Sequence, residues 1–223
     1  MNPLVETAQL IRLQQLGSAN LPVGAFAFSQ GLESAVDSGW LKSAEEVESW
    51  LDVQLRYSIG KVDIPIYFRL HQACGDKNIA SQRYWNDFLL ACRETSEQRL
   101  SDTATGLALG KLLASLDVPL QAIDEPTFLT YYAMAATHWQ LNAEASCSVH
   151  VWSWLENQVI AATKLMPLGQ TRAQQMLCTL QEAIPQLIAA GRSLSDSELG
   201  ASLPALAISS CHHETQYSRL FRS

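Results

Sequence analysis

The densest run of side chains able to hold a metal is Cys211-His212-His213-Glu214, near the C-terminus. Thiolate and imidazole suit Ni, Zn or Cu. Consecutive residues rarely converge on one ion, however, and no second ligand set is visible, so no metal is assigned. A Cys–His nucleophile would need a thiol close to an imidazole. Cys147 precedes His150 by three on an apolar helix, where a small buried thiol is the simpler account. His71 and His138 stand singly, as core or surface histidines. No G-x-x-x-x-G-K-[ST], G-x-S-x-G, H-E-x-x-H or G-x-G-x-x-G occurs, so nothing marks a nucleotide, acyl-transfer or zinc-peptidase site. An arginine offered in trans can complete a partner's GTPase site, and Arg99 and Arg172 are the candidates; the simpler account of each is an ordinary surface arginine.

The stretch that must position such groups is Asn142 to Gln170. It has no Gly or Pro from Ala145 to Met166; Asn142 can cap its start, and Pro167 with Gly169 stops it. Such a helix would run roughly 35 Å. Its circumference is mostly apolar except for a stripe of Ser146, His150, Ser153, Asn157 and Lys164. A helix apolar nearly all round belongs in a core, and the stripe is either a solvated face or the wall of a polar channel or partner contact. The polar residues inside the apolar window argue against a membrane span.

Around it the pattern is helical throughout. Thr7–Gln15 is a short amphipathic helix ended by Gly17, and LPVGAF (21–26) is extended or turned. Helical spacing resumes from Phe26 to Ser38, placing Gln30 and Glu33 on one face. Ser43 and Glu46 form a capping box before Val47, Trp50 and Leu51. Gly60 separates that helix from one near 63–73. Ser81–Ala91, Thr95–Leu116, a helix begun by Pro126, and Thr171–Ala190 broken at Pro185 follow. Gly106 and Gly110 weaken the second long helix by roughly 1 kcal/mol each, so another helix must approach closely there. Ser195 and Glu198 suggest one more short cap. No strand or hairpin pattern appears. The prediction is one all-α domain, a bundle of about eight to ten helices over 1–207, followed by a tail, 208–223, that is mobile when alone. In the tail, Tyr217, Leu220 and Phe221 alternate with Arg219 and Arg222, a composition suited to a protein partner.

The totals agree. The 223 residues are 48% hydrophobic, enough for a core, and the net charge of −7 with pI near 5.2 argues against nonspecific nucleic-acid binding. Five scattered cysteines without a C-x-x-C fit a reduced compartment, and MNPLVETAQL has no secretory pattern, so a soluble cytoplasmic protein is expected.

Four stretches in order, LPVGAFAFSQGLE (21–33), RETSEQRLSDTATGLALGKLL (93–113), SWLENQVIAATKLMPLGQT (153–171) and HHETQYSRLFRS (212–223), resemble the UreF family of urease accessory proteins. Only Cys211-His212 departs, where Met-Arg is usual in that family. The resemblance implies an all-helical, dimeric, non-enzymatic chaperone without a cofactor, which bridges UreD (UreH) and the GTPase UreG so that nickel is inserted into apo-urease (UreABC). It also implies a channel through UreF and UreD. On this basis His213, Glu214, Tyr217, Arg219, Leu220, Phe221 and Arg222 are expected to bind UreD. Gln30, Glu33 and Lys164 are expected to face UreG or a channel. A GTPase activator acting through Arg99 or Arg172, and a nickel carrier using Cys211, His212 and His213, are the alternatives.

Overall fold

The structure, a computed structural model, describes residues 7–222. Those residues form eleven α-helical segments and no strand. In chain order these are α1 (Thr7–Leu16), α2 (Leu32–Asp37), α3 (Ala44–Gln54), α4 (Ile64–Gly75), α5 (Ile79–Ala91), α6 (Ser96–Ser115), α7 (Phe128–His138), α8 (Ala143–Leu165), α9 (Gln170–Gln181), α10 (Ile184–Ser193) and α11 (Pro204–Glu214). No helix among the described residues is long and apolar enough to cross a membrane.

Local chemistry sets most of the boundaries. Ser43 Oγ accepts from the Glu46 amide while Glu46 caps the Ser43 amide in return. Asn142 Oδ1 accepts from the Ala145 amide at 3.0 Å and starts α8. Thr95 and Thr127 do the same for α6 and α7. A turn at Asp196–Glu198 carries the Ser195–Glu198 box.

Around α8 pack α1, α2, α3, α4, α7, α9 and α10. Val151, Leu155 and Ala162 of α8 are fully buried, and Tyr67 and Tyr132 fill the space beside it. The Tyr132 hydroxyl donates to Ser146 O at 2.8 Å, and the Tyr67 hydroxyl meets Ser146 Oγ. Ser146, the first residue of the polar stripe, is therefore a buried hydrogen-bonding post rather than a solvated one.

Close approach explains the interior glycines of α6. A Cβ on Gly106 would lie 2.1 Å from Pro126 O and 2.7 Å from the Thr127 carbonyl carbon; one on Gly110 would lie 2.7 Å from the Tyr131 ring.

Three expectations need correction. Gly60 does not separate two helices: α3 and α4 are joined by a π-helical stretch, Leu55–Asp63, so the chain stays helical from Ala44 to Gly75. Leu187 of α10 covers Gly60, and tertiary packing overrides the local weakness of glycine. Helical structure does not run from Phe26 to Ser38 either. A single 3-10 turn occupies Ala25–Ala27, and Gln30 (φ 51°) and Gly31 (φ 83°) are left-handed, so α2 starts only at Leu32. Gln30 and Glu33 consequently do not share a helix face. Lastly, the described part of the tail is docked, not mobile. Residues 208–214 belong to α11, the Arg222 amide donates to Ala27 O at 2.7 Å, and Phe221 is 5% exposed within the core.

Candidate functional site

The tail is held by a charge cluster that no stretch of sequence contains by itself. α11 points His213 inward, where it is fully buried between α2 and α6. Its Nε2 lies 2.9 Å from Glu33 Oε2, and its Nδ1 lies 3.0 Å from both oxygens of Glu97. Both ring nitrogens thus meet a carboxylate. Glu33 also accepts from the Leu220 amide at 2.6 Å and the Phe221 amide at 2.8 Å. Arg219 donates to Glu97 at 3.1 Å. Each buried carboxylate is therefore multiply satisfied, which burial of a charge requires.

Beyond this cluster the strap 215–222 lies against the turn that precedes α2. Lys164, exposed at the end of α8, sits over both the Phe26 ring (5.9 Å) and the Phe221 ring (5.6 Å), bridging turn and strap. The Arg222 guanidinium lies over Phe28 at 5.9 Å. Gln30 accepts from Trp154 Nε1 at 2.8 Å, which ties the turn to α8.

The expected partner-binding residues accordingly divide in two. Tyr217, Leu220, Arg219, Arg222 and Glu214 are exposed, Tyr217 fully, while Glu214 accepts from Ser96 Oγ. His213, Phe221 and Glu33 are buried and act from inside. The two sets assigned to different partners, Gln30, Glu33 and Lys164 on one hand and the tail on the other, are brought together into one region. Cys211, His212 and His213 do not converge: α11 turns His213 inward, and Cys211 and His212 are exposed, with His212 set edge-on to Trp40. No three His, Cys, Asp or Glu side chains among the described residues are arranged to hold a metal ion.

Behind the turn lies a cavity of about 140 Å³. His150, Ser153 and Asn157 of the α8 stripe line it and are half-buried there, so this part of the stripe faces a partly open pocket. His150 stacks on Phe128, and burial lowers its pKa to about 4, with Asp63 opposing and Arg93 reinforcing the shift. Gln158 Oε1 also lines the cavity and is buried without a protein partner.

On the far wall Arg93 donates to Asp63 at 2.6 and 3.1 Å and to Asp102 at 2.5 Å. Burial alone would lower the Arg93 pKa, but the two carboxylates outweigh it and hold it above its ordinary value. Burial likewise raises Asp102, and Arg93 only partly counters that. Asp63 ends the π-helical stretch, whose wider turn also places Ser58, Ile59 and Val62 on the cavity.

The two arginines considered as fingers are engaged within the chain. Arg172 pairs with Glu48 at 2.8 Å and Glu45 at 3.3 Å; Arg99 donates to Leu90 O at 3.1 Å and lies 3.7 Å from Glu125. Sequence reasoning missed Glu97, Arg93, Asp63 and Asp102. A signal existed for Glu97: it falls four and eight residues before Ser101 and Thr105, on a face that proves buried.

Comparison with known proteins supplies the family. A family model described as UreF matches residues 41–181. A protein named urease accessory protein UreF from Marinomonas sp. (strain MWYL1) is 50% identical over 224 residues, covering 100% of this chain and 97% of the relative. The protein of that name from Teredinibacter turnerae is 48% identical, covering 96% of this chain and 99% of its own length. That from Alkalilimnicola ehrlichii is 45% identical, covering 95% of each. With the model spanning more than half of the chain and these relatives similar nearly end to end, the chain belongs to the UreF family of urease accessory proteins.

Proposed function

We propose that this chain is a non-enzymatic chaperone of urease maturation that bridges UreD (UreH) and the GTPase UreG, so that nickel reaches apo-urease. The observation that carries the proposal is the composite surface of strap, turn and α8 end. Exposed Phe26, Tyr217 and Leu220 stand beside Lys164, Arg219 and Arg222, fixed from within by Glu33, His213 and Phe221. Rigid aromatic and arginine side chains on a pre-ordered backbone are what a protein-binding hot spot requires. The partner-binding unit is 208–223, carried on the helical body 1–207. The pocket beside this surface, which His150, Asn157 and Gln158 help to line, supports the channel that the family resemblance implies. A cytoplasmic homodimer within the assembly completes the proposal.

The test is co-purification of Tyr217→Ala/Leu220→Asp with UreD and with UreD plus UreG, helicity being checked by circular dichroism. Loss of UreD or UreG capture with helicity intact is expected. Capture of both at wild-type level would remove this surface from the proposal. Light scattering of the assembly reads the dimer directly.

A further inference from the structure

The pocket behind the 25–30 turn has a lopsided chemistry. Its lining carries three carboxylates, Asp63, Glu94 and Asp102, against one basic side chain, Arg93. Arg93 directs its donors to Asp63 at 2.6 and 3.1 Å and to Asp102 at 2.5 Å, so its charge is already matched and little is left to hold an anion. Acceptors, by contrast, remain. Gln158 is 2% exposed, and its Oε1 is buried without a protein partner. Trp154 Nε1 donates to Gln30 Oε1, and the same oxygen faces Gln158 Nε2 at 3.4 Å, so Oε1 is the end of the Gln158 amide left bare. A buried carbonyl oxygen is costly to leave unpaired and marks a place where a donor belongs. Asn157 donates Nδ2 to Ser153 O at 2.9 Å and keeps its oxygen as an acceptor. His150 is neutral at pH 7, because burial lowers its pKa to about 4, and a neutral imidazole keeps one nitrogen as an acceptor. Aromatic rings of Phe28, Phe128 and Trp154 complete the lining.

We infer that this pocket is a binding site for a guanidinium group, carried by an arginine side chain of a protein partner or by a small guanidino compound. A guanidinium is planar, presents five N–H donors in a fixed fork, is weakly hydrated and stacks on aromatic rings. Separate acceptors between flat apolar walls suit all of these properties at once, and the excess of carboxylates suits its charge. An ammonium is a compact, strongly hydrated point charge and makes less use of the aromatic walls. A bare metal ion fits worse still, since no three His, Cys, Asp or Glu side chains among the described residues are arranged to hold one. The size agrees. The pocket measures about 140 Å³, close to the roughly 150 Å³ of an engineered cavity that takes up benzene, and a guanidinium is smaller than benzene. Half-buried His150, Ser153 and Asn157 show that the pocket is already partly open, so entry requires no rearrangement of the strap. The inference concerns the free chain and holds whether or not the chain bridges UreD and UreG.

The test titrates the full-length, isotope-labelled chain with methylguanidinium chloride and follows indole N–H signals by NMR, with sodium chloride at matched ionic strength as the blank. Trp154 lines the pocket and is the reporter; Trp139, which lies under Arg12 and outside the lining, is the control. A saturable shift at Trp154 and none at Trp139 is expected at roughly millimolar concentration, a sensible affinity for so small a ligand. Tetramethylammonium has the same charge and no N–H, and should produce no saturable shift. Gln158→Leu removes the bare acceptor at similar volume and should weaken binding about tenfold or more. Should circular dichroism show that this variant does not fold, Asn157→Ala at a half-buried position takes its place with the same expectation. The inference is overturned by the lack of a saturable shift at Trp154, by equal binding of tetramethylammonium, or by undiminished affinity in the folded variant. The same titration on the assembly with UreD, and with UreD plus UreG, separates the two sources. A partner arginine seated in the pocket excludes methylguanidinium there, whereas a pocket still open in every assembly assigns the site to a free guanidino compound. If neither partner is captured, the bridging proposal fails while the free-chain titration still decides this one.

Discussion

Replacing Glu33 by Gln removes a single charge and hardly changes side-chain shape, yet it should detach the strap. The carboxylate takes hydrogen bonds from the Leu220 amide at 2.6 Å, the Phe221 amide at 2.8 Å and His213 Nε2 at 2.9 Å. A glutamine offers one oxygen, and its amino group must face at least one of these donors. Leaving one buried donor unsatisfied costs about 1–3 kcal/mol. Breaking a buried ion pair by removing one partner costs about 3–5 kcal/mol, and His213 has Glu97 alone to fall back on. The two figures describe overlapping losses, so strap docking should weaken by about 3–5 kcal/mol in total. Global stability falls by less if the undocked state is itself folded, because the loss is capped at the docking free energy. The sharp measurement is therefore hydrogen exchange at the Leu220 and Phe221 amides. About 3 kcal/mol corresponds to roughly a hundredfold loss of protection. Glu33→Asp keeps the charge on a shorter arm and should fall between the two. If Glu33→Gln exchanges these amides at the wild-type rate, the carboxylate is not what holds the strap.

His150 should make the protein acid-sensitive. Its folded pKa is about 4 against an ordinary 6.5, so the unfolded chain binds the extra proton, and stability is lost as pH falls from about 6.5 to about 4. The loss is at most about 3 kcal/mol, and urea titrations at several pH values should show it shrink in His150→Asn. Arg93→Met should cost about 3–5 kcal/mol at pH 7 by stranding Asp63 and Asp102; the cost should be smaller at pH 5, where a carboxyl whose pKa burial already raises can take up a proton. Gly106→Ala gains helix propensity, but its Cβ would lie 2.1 Å from Pro126 O, a backbone atom with nowhere to go. A net loss of about 3 kcal/mol or more in thermal or urea unfolding is expected, and a neutral result would mean that α6 and the 126–128 segment can separate freely.

What the sequence determined by itself was whatever depends on neighbours within about one helical turn. The caps at Ser43 and Asn142 and the unbroken run of α8 follow from residue types three or four positions apart, and they read correctly. So did the demand of Gly106 and Gly110 for a close neighbour, since an interior glycine has few other causes. The tertiary structure decided which polar groups go inside. Glu33, Glu97 and His213 are separated by up to 180 positions, and each looks locally like an ordinary polar residue on a helix. A charge can be buried only if its partners are present, and those partners arrive from elsewhere in the chain. The same reason explains the α8 stripe: His150, Ser153 and Asn157 are as polar as a solvated face, and only the turn and π-helical stretch folded beside them make that face the wall of a pocket. It explains the tail as well, which has little to bury against itself but finds Glu33, Ala27 and Lys164 waiting on the body.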